Sequence, residues 1–327
     1  MKLFLSATSR SGDRFQGRGV EGDGCIYICD FDIPKMNIQH KRTVYLPKPL
    51  FIGKRHRLGA RGILNLSNGL IVCANHDSIF LVNQNFVIHK AVSLPSMGDI
   101  HDIVIDKEQD CIAVVCASSD SIQYFDYKLN HIGSWRACTE EPLASLMVKK
   151  QNAPIIFRNR RNFHLHDYRM SFNGDVFHLN TVFDWQSDKI AVFSSLAKLY
   201  NITRQQFVPI DFCIDNPKRK GGRLHGGMIR KNNLVILNTH HGLLERYNMQ
   251  DYKRISYLQC FDARTNSTPH VSPVGFLRGL YALSDNEFLV GQIGPSIYYC
   301  NFVTGEVSQL INFENSDTWS VYNIAVG

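Results

Sequence analysis

Short apolar runs separated by turn residues recur along this chain at a nearly regular spacing, and that recurrence limits the fold more than any other feature. From Arg61 the order is Arg-Gly-Ile-Leu-Asn-Leu, then Ser67-Asn-Gly69, Leu-Ile-Val-Cys-Ala, Asn75-His-Asp77, Ser-Ile-Phe-Leu-Val, Asn83-Gln-Asn85 and Phe-Val-Ile-His-Lys-Ala-Val. Four short strands joined by Asn, Asp, Ser and Gly turns make an antiparallel meander. Further units open at His101, Glu141, His178, His225 and Arg278, with start-to-start spacings of 40, 40, 37, 47 and 53 residues. Repeats of that length match four-stranded, WD40-like propeller blades. No segment carries a long 3.6-residue apolar period, and β-branched and aromatic residues crowd the short runs.

The ends of the chain complete the pattern. Residues 2 to 7, 24 to 30 and 40 to 46 read as three strands without a first, and Trp319 to Val326 reads as one strand without company. Joining them closes the ring and removes exposed sheet edges. The expectation is therefore a single all-β domain over residues 1–327, a seven-bladed β-propeller closed by its C-terminal strand. The unit from 141 to 177 has a poorly marked fourth strand, which makes six blades the alternative.

Composition excludes some classes. Hydrophobic residues at 44% and charged residues at 20% fit a folded globular chain. The N-terminal apolar run is too short for a signal peptide and nothing approaches the ~20 apolar residues of a membrane helix, so a cytoplasmic location and no membrane partner are expected. Nine cysteines sit mostly inside apolar runs, and no Cys-x-x-Cys occurs, which points to buried reduced thiols rather than a metal site. Asn201-Ile-Thr203 fits a glycosylation acceptor, but without a secretory signal it carries no weight.

In a propeller the first strand of each blade lines the central channel, and the loop into it shares a face with the turn between the second and third strands. Arg61, His101, Glu141, His178, His225 and Arg278 therefore converge on one mouth, and the turns add His76, His240 and His241. The segment from Thr8 to Asp23 is long enough to fold over it. Basic loops belong to the same face: Lys48, Lys54, Arg55 and Arg57; Lys218, Arg219, Lys220 and Arg223 against Asp215; and Arg158 to Arg161. The opposite turns carry Asp106, Glu108, Asp110, Asp184 and Asp188, whereas Asp99, Glu140 and Glu141 make parts of the mouth acidic.

These residue types suit two kinds of chemistry. An imidazole ordinarily titrates near neutrality, so His101, His178 and His225 are the candidate catalytic proton carriers. The same three could hold a divalent metal, although no local metal motif supports it. Arg61 and Arg278 each precede Gly and can fork onto a carboxylate or phosphate; with His76, His240, His241 and Glu141 they form the candidate ligand-binding set. Nucleic acid is not an expected partner, because the basic clusters lie on separate loops and no binding motif accompanies them. The function expected is binding of a small anionic or polar molecule, with proton-transfer chemistry of an isomerase, lyase or hydrolase kind. The alternative is a non-catalytic scaffold for a protein partner.

Three stretches carry a resemblance: His178-Leu-Asn-Thr; Arg223-Leu-His225 followed by Asn-Leu-Val-Ile-Leu-Asn-Thr-His-His-Gly-Leu-Leu-Glu-Arg-Tyr; and Gly275-Phe-Leu-Arg-Gly-Leu-Tyr-Ala-Leu with Phe-Leu-Val-Gly. Through its His-Leu-Asn and Phe-x-Arg-Gly-Leu motifs, the chain resembles, over about residues 60 to 312, a family of uncharacterised bacterial β-propeller proteins. The resemblance implies a propeller and points at the channel mouth, and implies no activity. Where that family reads His-Ser-Pro, this chain has His225-Gly-Gly.

Overall fold

Six four-stranded antiparallel sheets stand around one axis in the computed structural model, which describes residues 1–9, 24–47, 59–151, 176–212, 224–239, 241–260, 277–292, 294–313 and 319–327. The first holds β1 (Lys2–Ser9), β2 (Gly24–Asp32) and β3 (Asn37–Tyr45). The second is β4 (Gly62–Asn65), β5 (Ile71–Ala74), β6 (Ile79–Val82) and β7 (Ile88–Val92). The third is β8 (Ile100–Asp106), β9 (Cys111–Cys116), β10 (Ser121–Phe125) and β11 (His131–Arg136), followed by helix α1 (Glu141–Gln151). The fourth is β12 (Leu179–Trp185), β13 (Asp188–Phe193), β14 (Lys198–Asn201) and β15 (Gln206–Phe207). The fifth is β16 (Leu224–Arg230), β17 (Asn233–Asn238), β18 (Leu243–Asn248) and β19 (Arg254–Gln259). The sixth is β20 (Leu277–Ala282), β21 (Glu287–Gln292), β22 (Ser296–Asn301) and β23 (Val307–Asn312), and the chain ends in β24 (Trp319–Val326).

That last strand pairs with β1 from Leu3 opposite Val326 to Ser9 opposite Trp319, and so supplies the missing inner strand of the first sheet. The inner strands touch in the order β24, β4, β8, β12, β16, β20 and back to β24. The architecture is a six-bladed propeller closed by its own termini.

The core confirms the count. Six apolar clusters are present among the described residues, and each lies between two neighbouring blades. Strand alternation divides the side chains between them: Leu3, Leu5 and Ala7 pack toward Leu289 and Ile297 of the sixth blade, while Phe4 packs toward Ile63 and Ile71 of the second. Because both faces are covered, middle strands such as β5 and β9 are buried at every position. Their sequences consequently read as unbroken apolar runs, whereas the outer β7 and β11 keep exposed residues.

The expected seventh blade is corrected here. The stretch after Glu141 is helix α1, with Pro142 in its first turn, where a missing N–H costs nothing. Leu143 and Leu146, three residues apart on one helical face, pack into the cluster between the third and fourth blades. Among the described residues, the interval from His101 to His178 therefore holds one blade and a helix. No helix among the described residues is long and apolar enough to cross a membrane. None of the eight described cysteines forms a disulfide, and seven are buried.

Ring closure has a sensitive point at Gly291 of β21. A Cβ there would lie 2.8 Å from Val321 Cγ1 and 2.9 Å from the Val321 carbonyl oxygen. Gly291→Ala should cost about 1–3 kcal/mol by overpacking, while Gly133→Ala, which meets nothing within 4 Å, should stay within about 0.5 kcal/mol of the parent. Urea denaturation of the two variants decides this, and equal stabilities would contradict the packing described.

Candidate functional site

Five of the six inner strands carry a β-bulge at the mouth end, and the entry to β4 is arranged in a similar way. His101 is the extra residue between Ile100, opposite Cys116, and Asp102, opposite Val115. Asn180 stands likewise between Leu179 and Thr181, Gly226 between His225 and Gly227, and Tyr322 between Val321 and Asn323. Arg278 and Gly279 share one partner position between the Leu277–Gln292 and Leu280–Val290 pairs. Arg61 and Gly62 both face Ala74, the first by donating its N–H to the Ala74 oxygen at 2.8 Å and the second by register.

A bulge breaks the two-residue alternation and re-aims side chains. Here His101 meets other mouth residues, while its neighbour Asp102 also turns to the axis, accepting from Thr181 Oγ1 and, at 2.8 Å, from Asn323 Nδ2. Both donors come from inner strands of other blades.

Three imidazoles gather as a result. The ring centroids of His101 and His178 lie 4.5 Å apart, those of His101 and His225 5.7 Å, and those of His178 and His225 6.5 Å. Tyr322 Oη is hydrogen-bonded at His101 Nδ1 and lies 3.2 Å from Nε2. Asn180 Nδ2 is 3.4 Å from His225 Nε2. The Tyr322 ring is flanked by two guanidiniums, Arg278 at 4.6 Å and Arg61 at 5.4 Å from its centroid. Those arginines come from the sixth and second blades, on either side of β24.

Backbone chemistry holds His178 in place. It precedes β12 with a left-handed φ of 57°, uncommon for a non-glycine residue. The buried Asp120 carboxylate accepts the N–H groups of Val176 and Phe177 at 2.8 Å and of Leu179 at 2.9 Å, fixing the backbone on both sides of the histidine.

Asp99 organises the charge. Its carboxylate is paired with the buried Arg61 Nη1, its Oδ2 lies 3.4 Å from His101 Nε2, and its Oδ1 lies 3.8 Å from His76 Nδ1. Burial works to raise the Asp99 pKa, but Arg61 above all overrides it and holds the group well below the usual carboxylate range. Burial holds His101 well below the usual imidazole value despite Asp99. At neutral pH the pair is therefore an ionised carboxylate beside a neutral imidazole. Burial also pushes Asp102 up to about 6, against the hydrogen bonds from Thr181, Ile103 N–H and Asn323. Arg61 is 1% exposed, and its Nε and Nη2 find no hydrogen-bond partner among the described residues.

Of the residues expected at the mouth, His101, His178, His225, Arg61 and Arg278 come together, and His76 joins through Asp99. His241 lies in the β17–β18 turn, where Gln259 donates to its carbonyl. Glu141 does not belong: it is exposed at the start of α1, outside the inner strands. His240, the three basic loops and residues 10–23 fall outside the described residues. The donor set that converges for a metal is Asp99, His101 and His178, with ligand atoms all within 4.8 Å of one another, and His225 is replaced in it by the carboxylate. Sequence reasoning passed over Asn180, Thr181, Tyr322 and Asn323 as site residues. Asp99 and Asp102 flank His101 and were legible beside it, whereas Tyr322 gave no local signal.

No family model matches the chain, and no curated protein does. Among solved structures, a protein of unknown function from Bacteroides caccae is 9% identical, with a TM-score of 0.60 over 99% of this chain and 97% of that one. A structure of a nidogen/laminin complex gives 8% identity and 0.58 over 99% and 97%. Virginiamycin B lyase from Staphylococcus aureus gives 12% identity and 0.48 over 79% of this chain and 71% of that one. The first two likenesses bear on the fold alone.

The Asp120 clamp yields a prediction. Asp120→Ala strips three buried N–H groups of their acceptor, and at about 1–3 kcal/mol for each it should cost at least about 3 kcal/mol. Asp120→Asn keeps one acceptor oxygen and should cost less. Chemical denaturation checks the order, which would be refuted by an alanine variant as stable as the parent.

Proposed function

We propose that this protein binds a small anionic or polar molecule at the mouth of its channel and exchanges protons with it through the mouth imidazoles. The observation that carries the reading is the pair of buried guanidiniums flanking Tyr322, one of which has two nitrogens with no hydrogen-bond acceptor among the described residues. A buried donor left unmatched costs about 1–3 kcal/mol, and an oxyanion placed there would remove that cost while taking up the positive charge. Guanidiniums suit carboxylates and phosphates because their planar fork can donate two parallel bonds.

The imidazoles divide by their surroundings. His101 has Tyr322 at one nitrogen and Asp99 near the other, which suits it to a fixed role. His178, half-buried at the strand entrance, and His225, approached by Asn180, are better placed to exchange a proton with a bound molecule. Isomerase, lyase or hydrolase chemistry fits that arrangement. The protein-scaffold reading makes no use of the buried guanidiniums, since a docking surface needs exposed groups.

The test is a thermal-shift panel of small carboxylates and phosphate monoesters, run with and without chelator. A ligand at one hundred times its Kd adds about 2.7 kcal/mol of apparent stability, so at least one member should raise the melting temperature by several degrees. Arg278→Ala should weaken that ligand at least tenfold with an unchanged circular dichroism spectrum. A panel that leaves the parent protein unmoved, or an Arg278→Ala variant that responds equally, would defeat the proposal.

A further inference from the structure

We infer that Asp99, His101 and His178 form a binding site for one divalent transition-metal ion, with Asp99 Oδ2, His101 Nε2 and a ring nitrogen of His178 as its protein ligands. This builds on the reading of the mouth as the working face, and it makes the anion's oxygen the natural fourth ligand.

The first argument is spacing. The three donor atoms lie within 4.8 Å of one another, and His101 Nε2 is 3.4 Å from Asp99 Oδ2. In a tetrahedral site with bonds of about 2.0–2.1 Å, neighbouring ligand atoms are about 3.3–3.4 Å apart. One edge of the coordination polyhedron is thus already set, and a small rotation of the half-buried His178 completes the face.

The second argument is the outer contacts. Arg61 takes Asp99 Oδ1 and leaves Oδ2 toward His101, while Tyr322 Oη is hydrogen-bonded at His101 Nδ1 and stands farther, at 3.2 Å, from the Nε2 that faces Asp99. Metal-binding carboxylates and imidazoles are typically oriented this way, through the atom that does not touch the ion.

The third argument concerns which ion. Arg61 neutralises much of the Asp99 charge, so most of the affinity must come from imidazole nitrogen. Nitrogen donors suit Zn²⁺ and its late first-row neighbours, whereas Mg²⁺ and Ca²⁺ call for several oxygens. Three protein ligands leave a coordination position open, as in zinc sites that act on a bound molecule. Competing thiolates are disfavoured by burial at Cys29, Cys73, Cys111 and Cys116; Cys29, for instance, is pushed up to about 12 by burial first and Asp30 second.

Cobalt(II) serves as the probe. Added to chelator-treated protein without any anion, it should bind one ion per chain and produce visible d–d bands without a near-ultraviolet thiolate band, and Zn²⁺ should displace it. His178→Ala and Asp99→Asn should each weaken binding at least tenfold, whereas His225→Ala should change it less than twofold. His178→Ala is the safer variant for folding, because His178 is half-buried and Asp99 is paired with a buried arginine. The inference is overturned if the parent protein takes up no cobalt at tens of micromolar, if His178→Ala binds as the parent does, or if His225→Ala loses the ion while Asp99→Asn keeps it. Because the titration contains no anion, its failure is read separately from a failure of the ligand panel.

Discussion

The mouth depends on the pairing of β24 with β1. That strand brings Tyr322 and Asn323 to the axis and separates the arginines of the second and sixth blades. Joining residues at opposite ends of the chain is entropically harder than closing a 40-residue blade, but the dependence on length is shallow. An eightfold longer loop is three doublings, or about 2 kcal/mol. One fully buried leucine contributes about 1.5–3 kcal/mol, and the cluster between the first and sixth blades buries Leu3, Leu5, Leu289 and Ile297 among others. Side-chain burial at the closing interface therefore outweighs the cost of bringing the termini together, and the mouth is assembled only once that interface forms.

The two ends of the channel treat charge differently. Away from the mouth, Lys189 pairs with Asp106 and Asp184 across two blades, and Asp188 pairs with Arg204. These contacts match cations to the carboxylates of turns that read as acidic in the sequence, and they tie neighbouring strands together. At the mouth, Arg61 is paired on one nitrogen and unmatched on two among the described residues, and a carboxylate is held ionised beside a neutral histidine. A buried ion pair is weak evidence for stability, because desolvation offsets much of the attraction. Groups left partly unsatisfied in this way fit a binding role better than a structural one.

Much of this was legible in the chain. Strands show through because inner and outer blade positions impose recognisable patterns, and the orphan strands at the two ends predict their own pairing. Histidine and arginine at strand starts marked five residues that the fold gathers together. The blade count failed because Leu143 and Leu146 in α1 resemble a short apolar strand when read over so few residues. Glu141 failed with it. Thr181 and Asn323 were hidden for another reason: a bulge reverses the facing of every residue before it, so strict alternation assigns one of each neighbouring pair to the wrong side. No signal local to β24 reveals that Tyr322 is its extra residue, since that depends on the register with a strand more than 300 residues away.

The bulges also explain what lies beneath the mouth. On each inner strand the residue after the bulge, or after the similar entry to β4, forms a second ring, and it is polar at Asp102, Thr181 and Asn323 but glycine at Gly62, Gly227 and Gly279. The glycines are required by close approach: a Cβ would lie 2.7 Å from Ile103 Cγ1 at Gly62, 3.2 Å from Phe183 Cε1 at Gly227 and 3.1 Å from Ile324 Cγ1 at Gly279. Side chains of adjacent inner strands thus crowd three sectors of the ring, and the Asp102 hydrogen bonds to Thr181 and Asn323 link the others. A molecule bound as proposed would meet polar groups in three sectors of this ring and closely packed backbone in the other three. Most of the charge it could meet stands in the ring above, with the histidines and arginines.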